Sequence, residues 1–290
     1  MSTAVRVLQG AFGRVALLDM DRPLVVHAHR QCHVLLKARG SNTFFHVRDG
    51  LYPLTERTAV LVNAWEPHCY AHHNPLAPRT VILALYIEPE WLAQSEKPLS
   101  ASRHPAFFPK ACASITDEMR TLADRLTMAM QSDNDVDPVE TEELLLRLMM
   151  AVIKQFSDWR NLRAISEFAS SRNGDRRIRR AVHYLREHAG RVPSMDFLVR
   201  EACLSRAQFF KLFHQQTNLT PSVYANVIRM ETALQSLARS SEAVTDLSVR
   251  LGFSASGHFT RFFQQHIGVA PSGYRRVANI VDKSVARSTQ

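Results

Sequence analysis

The stretch Lys211–Tyr224 (KLFHQQTNLTPSVY) returns fifty residues later as Arg261–Tyr274 (RFFQQHIGVAPSGY), and this self-match decides how the C-terminal part of the chain folds. Phe213/Phe263, Gln215/Gln265, Pro221/Pro271, Ser222/Ser272 and Tyr224/Tyr274 are identical. Upstream, Leu198–Leu204 pairs with Leu247–Phe253 at an offset of 49, so one copy carries an extra residue in its turn. Two copies are too few for a solenoid, which needs at least about three. The pattern therefore predicts two similar helical units.

Each unit has the layout of a helix-turn-helix. In the first, Ser194 is placed to cap a helix Met195–Cys203, with Phe197, Leu198 and Ala202 inward. Leu204-Ser205 forms the turn, and a second helix runs to about Gln216 with Phe209, Leu212 and Phe213 on its buried face. That leaves Ser205 in the turn and Arg206, Ala207, Gln208 and Lys211 facing outward. In the second unit Thr245 is expected to cap Asp246–Leu251, Gly252 to supply the tight turn, and Ser254 to open the next helix. Phe259, Phe262 and Phe263 face the core, and Ser256, Gly257, His258, Thr260 and Arg261 face a partner. The aromatics read as core rather than as stacking platforms. Short polar and basic residues early on a helix after such a turn suit a major-groove reader, because the helix N-terminus approaches base edges while Arg or Lys pairs with guanine or phosphate. The plainer reading of Lys211 and Arg261 is a solvated surface charge; their equivalence in the repeat favours DNA contact.

Charge agrees with the spacing. The chain of 290 residues carries 36 Lys and Arg against 27 Asp and Glu, a net +9. Residues 1–110 hold 12 basic and 8 acidic side chains, 111–170 hold 6 and 11, and 171–290 hold 18 and 8. The last segment thus carries more than the whole excess, as expected of separate domains with separate partners. A basic solvated face alone would account for the total, so the repeat carries the case for DNA.

Working toward the N-terminus, residues 1–110 read as β-rich. Short apolar runs at Val34–Leu36, Thr58–Val62 and Arg79–Ile87 are separated by turn signals at Arg39-Gly40-Ser41, Arg48-Asp49-Gly50 and Asn74-Pro75. This spacing favours an antiparallel sandwich or barrel. Between residues 111 and 170 the period becomes helical: Ile115, Met119, Leu122, Leu126 and Met130 form one stripe, and Leu145, Leu148, Met149, Val152 and Phe156 a second. Ser132–Asp137 is the loop between them, with Asp137 as N-cap and Pro138 in the first turn. This helical hairpin is either domain core or an intersubunit contact. Ala169–Asp175 reads as the linker.

The apolar share is 46% and the charged share 22%, ordinary globular values that exclude a disordered chain. The longest apolar run, Leu144–Ile153, is short and broken by Arg147, which excludes a spanning helix. No secretion signal is evident, and Cys32, Cys69, Cys112 and Cys203 have no framework spacing, so a cytoplasmic setting with reduced thiols is expected.

Two resemblances follow from these residues. Ile178–Arg276 resembles the DNA-binding domain of AraC/XylS-type transcription regulators, most specifically over Gly252-Phe253-Ser254, His258–Phe263 and Gly268–Arg276. It implies seven helices, with two helix-turn-helix units joined by a long helix here at about Ser222–Leu237. The readers would enter successive major grooves. The sequence departs from the family at Lys211, where arginine is usual, and at Phe210, where a polar residue is common. Ala207 and Gly257 offer no side-chain hydrogen bond, which shifts weight to shape and phosphate contacts. The N-terminal half is similar to the cupin-like sensors of such regulators through His27-Ala28-His29, Gly40 and Pro67-His68. In metal-binding cupins an HxH pair is followed by a glutamate and a later histidine; here His33 holds the glutamate's place and His68 the later one.

His27 and His29, two apart on a strand, point to one face, His33 shares their parity, and a neighbouring strand can bring His68 across. Imidazoles suit zinc, copper, nickel or iron. Three readings stand: a divalent transition metal in the barrel, an organic effector hydrogen-bonded by the same residues, or packing. Cys32 and Cys69 adjoin candidate histidines as thiolate ligands or as small buried residues. His72 and His73 read as loop.

The sequence thus predicts an α+β two-domain fold: a cupin-like antiparallel β-barrel (1–110), a helical hairpin for dimerisation or connection (111–170), and an all-α domain with two helix-turn-helix units (171–290). The expected function is non-enzymatic: a sequence-specific transcription regulator whose barrel senses a small-molecule effector. Its partners would be double-stranded promoter DNA, a second copy through 111–170, and RNA polymerase if it activates. The alternative is a cupin metalloenzyme or metal sensor fused to a DNA-binding domain, although no carboxylate completes a facial triad and Glu66 is the nearest. A DNA-binding protein without effector is the third reading.

Overall fold

The computed structural model describes residues 2–71, 78–132, 137–159, 175–188 and 194–281. The expected loop residues His72 and His73, and 169–174 of the expected linker, lie outside the described residues.

The N-terminal strands are β1 (Thr3–Gly10), β2 (Gly13–Met20), β3 (Cys32–Gly40), β4 (Thr43–Val47), β5 (Gly50–Leu54), β6 (Thr58–Val62), β7 (His68–Ala71) and β8 (Thr80–Ile87). They form two sheets rather than the closed ring of a barrel. With β9 (Cys112–Ser114) and β10 (Ala278–Ile280), the larger runs β10-β1-β2-β8-β3-β6-β9, and the smaller β5-β4-β7. Ladders are antiparallel except β1 with β10, which is parallel. The expected turns at Gly40 and Arg48–Gly50 link β3 to β4 and β4 to β5.

The central strands read as unbroken apolar runs because both faces are covered. Along β8, Val81, Leu83, Leu85 and Ile87 belong to an outer core, while Ile82, Ala84 and Tyr86 belong to an inner core with Phe45, Val47 and Tyr70 of the small sheet. The outer core is closed by α1 (Pro89–Ser95), a 3-10 helix (Lys97–Arg103) and the hairpin α2 (Asp117–Gln131) and α3 (Pro138–Phe156). Thr116 and Asp137 cap α2 and α3, accepting from Met119 N–H and Val139 N–H. Both hairpin stripes, Met119-Leu122-Leu126-Met130 and Leu145-Leu148-Met149-Val152, are spent on the sheet.

The C-terminal region has seven helices among the described residues: α4 (Arg176–Glu187), α5 (Met195–Glu201), α6 (Arg206–Thr217), α7 (Pro221–Arg239), α8 (Val244–Arg250), α9 (Ser256–Ile267) and α10 (Pro271–Val277). Ser194 caps α5 by accepting from Phe197 N–H, as its place predicts. Helix α5 ends at Glu201, short of the expected Cys203, which takes a positive φ in the turn, and two helix starts differ as well. Helix α8 starts at Val244 behind Ala243, so Thr245 lies in its first turn, where its carbonyl accepts from Ser248 Oγ at 2.7 Å. Helix α9 starts at Ser256, and Ser254 lies in the turn with its Oγ 2.9 Å from His258 Nδ1. The shift is two residues in each case, the usual error where several Ser, Thr and Ala compete for one cap. No helix among the described residues is long and apolar enough to cross a membrane.

Candidate nucleic-acid interface and the histidine cluster behind it

The repeat is geometric as well as textual. Phe213 meets Tyr224 with ring centroids 5.6 Å apart at 82°, and Phe263 meets Tyr274 at 5.6 Å and 73°. Cys203 and Gly252 take positive φ in the two turns (50° and 76°), and Asn218 and Gly268 do so at the ends of α6 and α9 (58° and 85°). Phe209 and Phe213 anchor α6, Phe259 and Phe263 anchor α9, and all four are fully buried. This fixes which side of each helix faces out.

On α6 and its cap, Ser205, Arg206, Ala207, Gln208 and Lys211 are exposed together. Ser205 and Gln208 form a capping box, and Arg206 pairs with Asp196 at 2.8 Å while its guanidinium lies 5.5 Å from the Phe210 ring. In the second unit Ser254, Ser256, Gly257, His258 and Arg261 are exposed and Thr260 is half-buried. A Cβ built on Gly257 meets nothing within 4 Å, so an approaching surface finds open backbone there. Lys211 and Arg261, equivalent in the repeat, have no ion-pair partner among the described residues. Two basic, short-chained helix starts are thus presented by two copies of one scaffold.

The histidines converge inside the sensor. His27 bridges His68 backbone to backbone, N–H to carbonyl at 3.0 and 2.9 Å, which aligns the strap before β3 with the start of β7. The side chains of His27, His29 and His68 offer ligand nitrogens that all lie within 4.8 Å of one another, and all three residues are buried. His27 Nδ1 donates to the Val25 carbonyl at 2.8 Å and His68 Nδ1 to the Glu66 carbonyl at 2.9 Å, leaving Nε2 as the acceptor nitrogen of each ring. His33 stands alongside, its Nδ1 3.4 Å from His68 Nε2 and its ring stacked 4.0 Å from Tyr86. Burial holds His27, His29 and His33 well below the usual imidazole pKa, with neighbouring cationic groups adding to it, and brings His68 down to about 4. The four rings are therefore neutral near pH 7.

The neighbouring thiols and carboxylate serve elsewhere. Cys32 points into the outer core, one residue out of phase with His33, and burial pushes its thiol up to about 12. Neither Cys32 nor Cys69 belongs to the convergent group. Glu66 pairs with Arg48 and accepts from Asn63 N–H at 2.8 Å. It is tied outside the cluster, so no facial triad forms with it.

Sensor and readers meet along one seam. Trp65 stacks on Tyr224, Val25 N–H donates to the Gln265 carbonyl at 3.0 Å, and His266 lies 6.3 Å from His27, centroid to centroid. Met230, Leu234, Phe259, Phe263 and Tyr274 share the sensor's inner core. Arg14, buried on β2, lies 3.7 Å from the Tyr86 ring, and burial holds Glu231 of α7 above the usual carboxylate range against the opposing pull of the Arg14 and Arg30 charges. A cleft of about 430 Å³ opens on the seam, lined by Trp65, Arg103, Arg179, Arg186 and Tyr224 among others. Trp65, Arg14, Glu231 and His266 were not singled out from sequence. The signal available for His266 was its departure from its repeat partner, Gln216.

Comparison with known proteins gives the same partition. Residues 22–149 match the model of the AraC-like ligand binding domain, and residues 198–277 match that of a helix-turn-helix domain. The HTH-type transcriptional activator RhaS of Shigella sonnei (strain Ss046) is 25% identical over 254 residues, covering 86% of this chain and 87% of the relative. RhaS of Escherichia coli (strain SE11) is 24% identical over the same length. Among solved structures, an apo point variant of ToxT from Vibrio cholerae strain SCE256 covers 92% of this chain and 98% of its own at TM-score 0.56 and 11% identity, a likeness of fold. A wild-type ToxT of that strain, bound to an unsaturated fatty acid, covers 96% and 95% at TM-score 0.50 and 12% identity. With an AraC-like ligand-binding domain first, a helix-turn-helix domain second and two matching helical units on the surface, the chain has the domain architecture of AraC-type DNA-binding transcription regulators.

Proposed function

We propose that α6 and α9 are the two DNA readers, with Ser205, Arg206, Ala207, Gln208 and Lys211 on the first and Ser254, Ser256, Gly257, His258, Thr260 and Arg261 on the second. The observation that carries this is the equivalence of the two units: the same aromatic pair is buried in each, and the same basic position, Lys211 or Arg261, is exposed. Phosphate neutralisation supplies much of the affinity, so binding falls steeply with salt. Footprinting on the DNA flanking the protein's own gene tests the reading; two protected patches one helical turn apart support it, and no protection counts against it.

The seam is the natural place for an effector to act, because both readers pack on the sensor there. Its cleft combines the Trp65 and Tyr224 rings with three arginines and suits a small organic anion. The two hairpin stripes are used by the sheet, so a homodimer through 111–170 would use the outer face, where Met128 and Val139 are exposed. The RhaS relatives are transcriptional activators, which supports a contact with RNA polymerase and a cytoplasmic setting. Among the described residues no carboxylate joins the histidine group, and the nearest candidate, Glu66, is bound to Asn63 and Arg48.

A further inference from the structure

We propose that Arg180 of α4 and Arg229 of α7 are a matched pair of phosphate anchors, one beside the turn of each helix-turn-helix unit, which fix both readers on the DNA backbone without reading bases. The inference rests on the DNA-binding reading and extends it to two residues that lie on neither reader helix.

The repeat reaches further back than the reader units. At the offset of 49 that places Leu198–Leu204 on Leu247–Phe253, Ile178, Ala181 and Leu185 of α4 fall on Val227, Met230 and Leu234 of α7, and all six are buried. Ile178, Ala181 and Leu185 share a core with Leu198, Phe209 and Phe213, as Met230 and Leu234 do with Leu247, Phe259 and Phe263. Helix α4 and the second half of α7 are thus one structural position used twice. Along it the two copies both carry arginine at a single place, Arg180 and Arg229.

Both arginines reach the turn of their unit. Arg180 Nη2 donates to the Glu201 carbonyl, at the end of α5, at 3.4 Å. The Arg229 guanidinium lies 4.9 Å from the ring of Phe253, between α8 and α9. These turns lead directly into Ser205-Arg206 and Ser254–Ser256. A reader helix seated by its N-terminus in a major groove about 12 Å wide carries the preceding turn to the phosphate ridge at the rim of that groove.

Their charge is unspent, and that sets them apart from their neighbours. Arg177, Arg206 and Arg250 are paired with Asp175, Asp196 and Glu242. Arg180 and Arg229 have no carboxylate partner among the described residues. Arg180 is exposed, and one long bond to a carbonyl leaves most of its five N–H donors free. Arg229 is half-buried, burial lowers its pKa, and its Nε has no hydrogen-bond partner. A cation drawn out of water without an anion is costly, and a phosphate oxygen at the turn offsets that cost with a charge-assisted hydrogen bond.

The test uses the full chain and two fluorescent duplexes, one from the DNA upstream of its own gene and one of random sequence, with affinity read between about 50 and 200 mM KCl. Arg180→Ala and Arg229→Met, which keeps an unbranched side chain against Phe253, should each lower the slope of log affinity against log salt by about 0.9. Each should also weaken binding by about 5-fold at 150 mM salt, equally on both duplexes. The exposed sensor control Arg57→Ala should change neither. Wild-type slopes in both anchor variants overturn the proposal. Weaker binding at an unchanged slope does so too, since it marks a merely structural role, as does a loss that differs between the duplexes, which marks base readout. Arg229→Lys retains the charge and should keep the wild-type slope, so a lowered slope there overturns the anchor at Arg229 even where Arg229→Met does not fold. Arg261→Ala judges the readers separately. A wild-type slope there with lowered slopes in the anchor variants supports the anchors and removes the reader assignment; the converse overturns the anchors alone. A chain that binds neither duplex overturns both.

Discussion

Trp65 of the sensor and Tyr224 of the long helix α7 lie face to face, their ring centroids 4.6 Å apart and their planes 7° from parallel. Tyr224 also accepts from Arg186 Nε at 2.8 Å and packs edge-on against Phe213 beneath the first reader. One ring thus links the sensor to the core of α6. Trp65→Ala removes the sensor's half of that stack, and a loss of roughly 1–3 kcal/mol is expected in urea unfolding. In calorimetry the variant should show the first reader unit melting ahead of the sensor; a single unchanged transition would show that the stack does not join them.

Arg261 is exposed and Phe259 and Phe263 hold its helix from the other side, so Arg261→Ala should leave the fold intact. DNA affinity should drop by roughly 1–3 kcal/mol, read by anisotropy at fixed salt. A fall in the salt slope by about one marks a phosphate contact, whereas relaxed preference at one base pair marks a base contact. Lys211→Ala should behave alike in the first unit. Full affinity in both variants would move the interface elsewhere.

The two readers differ at their caps. Ser205 closes a capping box on α6, while Ala255 precedes α9 in an extended conformation with no side-chain cap bond. Ser205→Ala should cost ~0.5–2 kcal/mol of stability, and Ala255→Ser should add a comparable amount. Thermal unfolding of the pair checks this: the two melting temperatures should move in opposite directions.

Asn63 joins the sensor's small loop to the outer core. Its Nδ2 donates to the Phe108 carbonyl at 3.0 Å and its Oδ1 accepts from Phe108 N–H at 2.7 Å, all buried. Asn63→Ala orphans both backbone groups at roughly 1–3 kcal/mol each. Urea unfolding should show the larger part of that loss.

Much of the reader was legible because its information is local and stated twice. Phe213 and Phe263, or Tyr224 and Tyr274, occupy equal places in two copies, so each copy checks the other's period. The sensor was legible strand by strand, since runs such as Thr80–Ile87 are apolar on both faces. The sheet's two outermost strands were not. Cys112–Ser114 and Ala278–Ile280 are three residues long, and only tertiary pairing with β6 and β1 makes them strands. The histidines were visible as a parity pattern from His27 to His33. Their reader-side neighbour His266 was not, because its proximity depends on how α9 docks, which no local period encodes. Arg14 and Glu231 escaped for the same reason: each is an ordinary charged residue until the seam buries it.

Strand β10 gives the molecule a constraint that its order of domains conceals. After α10 the chain returns to the sensor and runs beside β1, pairing Val7 with Ala278 and Leu8 with Asn279. The C-terminal half therefore supplies an edge strand of the sensor's own sheet, in addition to the core the two halves share, and a fusion made directly after Val277 would cut into that sheet.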